Sequence, residues 1–329
     1  DLTGSEGSKN YSRMVLDVTG PMLNRAIGGR YEPGSTFKPL GALVALNEGV
    51  ITPEYGYPCG GRYTLCGHGK PQCTHAGNGH AANVRLSIAN SCNAYYAHVY
   101  RLTVDNPKYG NVKNGYLQWK KYMNTFGLGV RLGLDIPNEI SGLIADTSVY
   151  NRENANYWTS CTNLTLGIGQ DKMLTTPLQM ANAMCIIANR GYYYTPHFVQ
   201  RIDGETADDT TLMNRFRVKH DVLTHIPDTA FNAVIEGMND VVKFGTARVA
   251  QIPGIDVCAK TGTAENYTIL DGRRIKLPNN SMFVCFAPKD NPKIAIAVFV
   301  QNAGFGATWA GPISRLMVEK FVNDTLMTK

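Results

Sequence analysis

A mixed α+β fold is predicted, an antiparallel sheet built late in the chain and flanked by a helical cluster from its middle. Two observations predict it. Apolar residues recur at helical spacing in four segments between Ser35 and Val242, and three short apolar runs then follow, at 255–264, 281–287 and 293–301, separated by turn-rich stretches. A closing helix is expected over Pro312–Val322.

Taken in order, the first thirty residues, with Gly4, Ser5, Gly7 and Ser8, read as an extended, poorly ordered lead-in. Tyr31-Glu32-Pro33-Gly34 is a turn. From Ser35 the pattern becomes helical through Phe37, Leu40, Leu43, Val44 and Leu46, and Gly49 stops it. Residues 55–82 are dense in Gly, Cys and His without periodicity, which makes them a loop. A second buried helix is expected over Val84–Leu102, and a long Gly- and Pro-rich excursion over 126–146. Pro177–Asn189 is apolar nearly all round and so belongs at the centre. Pro227-Asp228 opens a fourth helix that runs to Val242. The organisation read from this is a lead-in at 1–30 and one domain at 31–329 that carries the Cys/His-rich loop.

Composition narrows the classes. With 329 residues, 43% hydrophobic and 18% charged, the chain can bury a large core and is not disordered. Its longest apolar run, Ile294–Val300, is far short of the roughly 20 residues that cross a bilayer. No basic-then-apolar signal segment opens it, and it starts at Asp1, so it reads as a piece of something longer. The net charge of +6 fits an anionic partner or none in particular. No arginine-rich helix or aromatic–basic stripe points to nucleic acid.

Three short motifs carry chemistry. Ser35-Thr36-Phe37-Lys38 places a hydroxyl and an amine three residues apart at a helix start, on one face. A serine is a competent nucleophile only beside a base, and a lysine becomes that base when desolvation or a nearby cation lowers its pKa. Ser91-Cys92-Asn93 sets polar groups in an otherwise apolar helix, where a hydroxyl relays a proton and an amide holds a carbonyl. Lys260-Thr261-Gly262-Thr263 ends an apolar strand. There the lysine and two hydroxyls can grip a carboxylate, and Gly262 lets a ligand backbone approach. Each motif alone is common; in this order and context they are not.

With Tyr31–Pro39, Leu166–Gln170, Thr176–Ala181 and Lys260–Glu265 added, the chain from about Asn10 onward resembles the transpeptidase domain of class B penicillin-binding proteins, elongation type. The resemblance implies the penicillin-binding-protein/β-lactamase-like fold and a peptidoglycan D,D-transpeptidase, with a carboxypeptidase side activity. Ser35 would attack the bond between the terminal D-alanines of a stem peptide, with Lys38 as its base. Ser91 would shuttle protons and Asn93 would position the substrate amide. Lys260, Thr261 and Thr263 would bind the terminal carboxylate or its mimic in a β-lactam. The backbone N–H groups of Ser35 and Thr263 would form the oxyanion hole. Catalysis needs no cofactor. Whole family members add a cytoplasmic tail, a membrane helix and a pedestal domain, which are not expected within these 329 residues, and the sheet is expected to lack an edge strand unless another piece supplies it. A membrane glycosyltransferase partner and the periplasmic face of the inner membrane are implied. The alternatives are a serine β-lactamase or a β-lactam sensor. A class A β-lactamase would need a glutamate to activate the deacylating water, and Glu139 and Glu153 stand in the wrong context for it.

Eight cysteines are many for this length, and Cys59, Cys66 and Cys73 cluster with His68, His75 and His80. Structural zinc, a disulfide and free thiols all stay open. The preferred zinc set is Cys59, Cys66, Cys73 and His75, with His80 as substitute. Cys92, Cys161, Cys185, Cys258 and Cys285 are assigned to packing.

Overall fold

The structure, a computed structural model, describes residues 2–67, 69–75, 79–203, 213–223 and 226–324. The lead-in is not extended. It forms helix α1 (Gly7–Leu16) and a single turn α2 (Arg25–Gly28), because residues 8–16 contain neither Gly nor Pro, a fact hidden by the glycines before them. Ile140 N donates to Ile27 O at 3.1 Å and ties this segment to the domain.

A 3-10 turn, Gly34–Phe37, runs directly into α3 (Lys38–Asn47), whose apolar residues are almost wholly buried. The expected second helix is two. Helix α4 (Val84–Ala89) ends before Asn90, and α5 (Asn93–Val104) restarts behind Cys92 as its cap. Ser91 lies between them with φ +55°, a left-handed conformation that no helix interior tolerates. The apolar pattern continues across this break, which is why periodicity alone missed it. Two further helices follow, α6 (Val112–Thr125) and α7 (Thr147–Glu153).

The excursion at 126–146 contributes a short strand β1 (Leu143–Ile144), paired with β2 (Met173–Leu174). It is held from below by helix α8 (Pro177–Ala188). Thr176 and Gln179 close a capping box, and the buried Gln179 amide donates to Gly127 O, Val130 O and Ser141 O at 2.7–3.0 Å. A small hairpin of β3 (Tyr192–Tyr194) and β4 (Lys219–Asp221) precedes α9 (Asp228–Lys243).

The main sheet is antiparallel in the order β5 (Cys258–Leu270), β6 (Arg273–Ala287), β7 (Ile294–Val300). Its first hairpin is longer than the apolar runs indicated. Asp271 and Gly272 turn it with φ +50° and +73°, the geometry of a two-residue type I′ loop. Helix α10 (Ala310–Asn323) closes the described chain. Adjacent residues of β6 face opposite sides. The Met282 sulfur accepts from Thr36 Oγ1 at 3.4 Å, whereas a Cβ on Gly311 of α10 would touch Phe283 at 3.5 Å. The 3-10 turn and α10 therefore sit on opposite faces of the sheet, and the site lies on the first.

Candidate active site

Several pieces of chain converge on a cavity of about 750 Å³. Among them are the 3-10 turn with Ser35, the Ser91–Asn93 break, strand β5 with Thr261 and Thr263, and residues 70–74 of the Cys/His loop. Close backbone approach fixes the turn. Gly34 has φ +55°, and its N–H donates to Gly169 O at 2.8 Å, where a Cβ on Gly169 would lie 2.2 Å from Gly34 O. The Leu166–Gln170 segment thus clamps the serine turn from behind. Gly262 serves the same end. A Cβ there would meet Thr36 Cγ2 at 2.8 Å and Pro33 O at 3.0 Å, so its small size admits the turn, where the sequence reading had expected a ligand.

Lys38 is fully buried, and its ammonium donates to Ser91 O at 2.7 Å, Ser91 Oγ at 3.1 Å and Asn93 Oδ1 at 2.6 Å. These three acceptors use all three of its hydrogens. For that reason the expected bond to Ser35 is not formed, and Ser35 lines the cavity with its hydroxyl unengaged among the described residues. Burial pulls the Lys38 pKa down to about 7, opposed in part by the charges at Cys92 and Cys73. Losing one proton leaves two donors and a lone pair, which is what taking the Ser35 proton requires.

Lys260 is also fully buried, donating to Ser91 Oγ at 2.8 Å and Thr261 O at 3.2 Å. Burial and the neighbouring Lys38 charge hold its pKa well below the lysine range. It is not among the cavity-lining residues. Thr261 and Thr263 are, so the hydroxyls form the open surface and Lys260 lies behind them, bonded to Ser91. Both amines meet on one Ser91 oxygen, the arrangement of a proton relay. The left-handed Ser91 backbone is what turns that oxygen toward them.

Asn93 holds the loop as well as Lys38: its amide donates to Gln72 O at 2.6 Å. The loop carries Lys70, Gln72 and Thr74 into the cavity wall. Two residues that sequence reasoning missed belong here. Gln72 gave no signal because its backbone does the binding, and Thr246 lies in a turn with no motif of its own.

The sulfur assignments change. Cys66 is not a ligand: it is bonded to Cys161, with Cα atoms 5.6 Å apart, so Cys161 is not a packing residue either. Cys92 replaces it. Broken from the helix, its side chain turns toward the loop, and ligand atoms of Cys59, Cys73, His75 and Cys92 lie within 4.8 Å of one another. Cys73 Sγ is 3.5 Å from Cys59 Sγ and 3.9 Å from Cys92 Sγ. A hydrogen bond from Cys92 pulls the Cys73 thiol down to about 5, and Cys92 is pushed up in return. Cys73 and Cys92 also accept from Ala94 N and Tyr95 N at the start of α5. The His80 ring lies tilted against His75 with centroids 4.5 Å apart, outside the set, and His68 lies outside the described residues.

The Cys66–Cys161 bond closes a loop of 95 residues and ties the Cys/His loop to the turn just before Leu164–Ile168. Cys161→Ser is expected to lower stability by roughly 4–5 kcal/mol on chain-entropy grounds. Denaturant midpoints under non-reducing conditions check this, and an unchanged midpoint contradicts it.

Carboxylates are engaged elsewhere. Glu139 accepts the backbone N–H groups of Leu132, Gly133 and Leu134, and Glu153 pairs with Lys172 at 2.7 Å. Glu265, at the cavity rim, accepts from Tyr267 and pairs with Lys276 at 3.5 Å.

Comparison with known proteins gives a consistent picture. The family profile described as "Penicillin binding protein transpeptidase domain" matches residues 3–320. The peptidoglycan D,D-transpeptidase MrdA of Acinetobacter baumannii is 30% identical over 311 residues, covering 92% of this chain and 44% of that protein. The chain spans about half the length of the curated relatives it matches. Pseudomonas aeruginosa PBP2, solved in complex with WCK 5153, superposes with a TM-score of 0.78 at 28% identity, covering 95% of this chain and 66% of that one. A chain from a peptidoglycan synthase complex that coordinates polymerization and crosslinking has a TM-score of 0.73 at 25% identity, covering 98% and 51%.

Proposed function

The chain belongs to the penicillin-binding protein transpeptidase family, and from that premise we propose that it is a peptidoglycan D,D-transpeptidase of the elongation type. The observation that carries the reading is the buried Lys38, desolvated to a pKa of about 7, with a Ser35 hydroxyl that has no hydrogen-bond partner among the described residues. Neutral Lys38 takes the Ser35 proton as the serine oxygen attacks the carbonyl between two terminal D-alanines. Negative charge develops on that carbonyl oxygen between the N–H groups of Ser35 and Thr263. Ser91, bonded to both lysines, passes a proton to the departing D-alanine amine, leaving an ester on Ser35. An acceptor amine from a neighbouring stem then attacks the ester, and the proton returns by the same relay. Asn93 positions the donor amide, and Thr261 and Thr263 receive the terminal carboxylate with Lys260 behind them. The test is incubation with a pentapeptide stem and an amine acceptor. Release of D-alanine matched by the new amide supports transpeptidation, and release without amide formation contradicts it.

Glu265 is the one carboxylate among the described cavity-lining residues, and its bonds to Tyr267 and Lys276 support this reading over a β-lactamase. The partner implied for the whole protein is a membrane glycosyltransferase, and its place is the periplasmic face. The similarity to a chain of a synthase complex that coordinates polymerization and crosslinking supports the partner. Among the described residues no helix is long and apolar enough to cross a membrane.

Cys59, Cys73, His75 and Cys92 fit structural zinc. The S···S separations of 3.5 and 3.9 Å match the edge of about 3.8 Å that tetrahedral Zn–S bonds give, and both buried ring nitrogens of half-buried His75 lack a partner among the described residues. The ion would pin the loop on which Gln72 meets Asn93. Metal analysis is expected to find one zinc per chain. Chelation is expected to lower the melting temperature by about 5 °C or more. Cys92→Ser should lose the metal, whereas Cys185→Ser should keep it.

A further inference from the structure

We propose that Thr246 is a positioning residue that sets the Thr261 hydroxyl for the terminal carboxylate of the substrate, an inference that rests on the transpeptidase reading above. Thr246 lies in the turn after α9 and lines the same cavity as Ser35, and its Oγ1 is 2.8 Å from Thr261 Oγ1. That turn is locked from several sides. Gly245 N donates to Asp240 O and Ala247 N to Val241 O, each at 2.8 Å. A Cβ on Gly245 would lie 2.5 Å from Ala89 O, two residues before Ser91. The buried Asp240 carboxylate is itself gripped by Arg85 Nη2 at 2.9 Å. Thr246 is thus fixed against both the Ser91 break and strand β5.

Each hydroxyl carries one hydrogen, so of two bonded hydroxyls one hydrogen is used between them and one is left. When Thr246 donates, the remaining hydrogen is that of Thr261, aimed away from Thr246 and polarised by the bond it accepts. An arriving carboxylate favours this arrangement, because it accepts only. Lys260 does not line the cavity, so the hydroxyl surface makes the first contact with the anion and its hydrogen direction matters.

The experiment measures acylation rate constants by intact-protein mass for the native chain, Thr246→Val and Thr246→Ser. The probes are benzylpenicillin and its methyl ester, which keeps the reacting ring and lacks the carboxylate. Thr246→Val is expected to slow the free acid about tenfold, in line with loss of a hydrogen bond serving a charged group, and the ester less than about twofold. Thr246→Ser should keep the native rate with both. Equal slowing of both probes by Thr246→Val would make its role structural and overturn the proposal. Unchanged rates with the free acid would overturn it too. A native chain that takes no adduct from the free acid fails differently, by removing the acyl-enzyme reading beneath it.

Discussion

Ser35→Ala is expected to lower the rate of β-lactam acylation by at least about 10⁴-fold while leaving the fold intact. The first half follows from chemistry: no other hydroxyl combines exposure to the cavity with the clamped turn of Gly34 and Gly169, and the covalent intermediate cannot form without its oxygen. The second half follows from the absence of any hydrogen bond to the Ser35 hydroxyl among the described residues. Removing an atom that nothing holds leaves the melting temperature within the range of a neutral substitution, about 0.5 kcal/mol. Residual acylation at more than a hundredth of the native rate would place the nucleophile elsewhere.

The next largest effect is expected at Lys38. Lys38→Met fills the same buried space without the amine and should slow acylation by roughly 10³-fold, the scale of general-base catalysis. Its pH dependence has a definite sign. The active form is the neutral amine and the pKa is about 7, so the rate rises with pH below 7 and levels above it. At pH 6 it should be roughly a tenth of the plateau, the neutral fraction one unit below the pKa. A profile still rising beyond pH 9 would mean that Lys38 keeps an ordinary lysine pKa and that something else takes the proton.

Much of the site was legible because its chemistry is local in sequence. Ser35 and Lys38 lie three residues apart, and Thr261 and Thr263 alternate on one strand, so local spacing alone fixes each pair. The break at Ser91 was not legible, since the residues on both sides continue one apolar pattern and only the backbone reveals the turn. That one error hid two facts: Ser91 meets Lys260 as well as Lys38, and Cys92 faces the loop. Cys66 and Cys161 are partners across 95 residues, a pairing that spacing cannot give. The fold shows the same division. Helices α8 and α9 follow from their periodicity and caps, and the antiparallel sheet with its flanking helices was expected. The full length of the β5–β6 hairpin was missed although Asp271-Gly272, the strongest short hairpin signal, stands at its tip. Its outer half is too polar to read as an apolar run.

The central claim is a serine acyl-enzyme built to wait for an amine, and the mass of the intact chain after exposure to a penicillin tests it most directly. Followed over hours, the native chain should gain one drug mass and keep it, because Glu139, Glu153 and Glu265 are each committed to other partners and none is poised to activate water. An adduct that disappears while hydrolysed drug accumulates would contradict the account and make the site a β-lactamase.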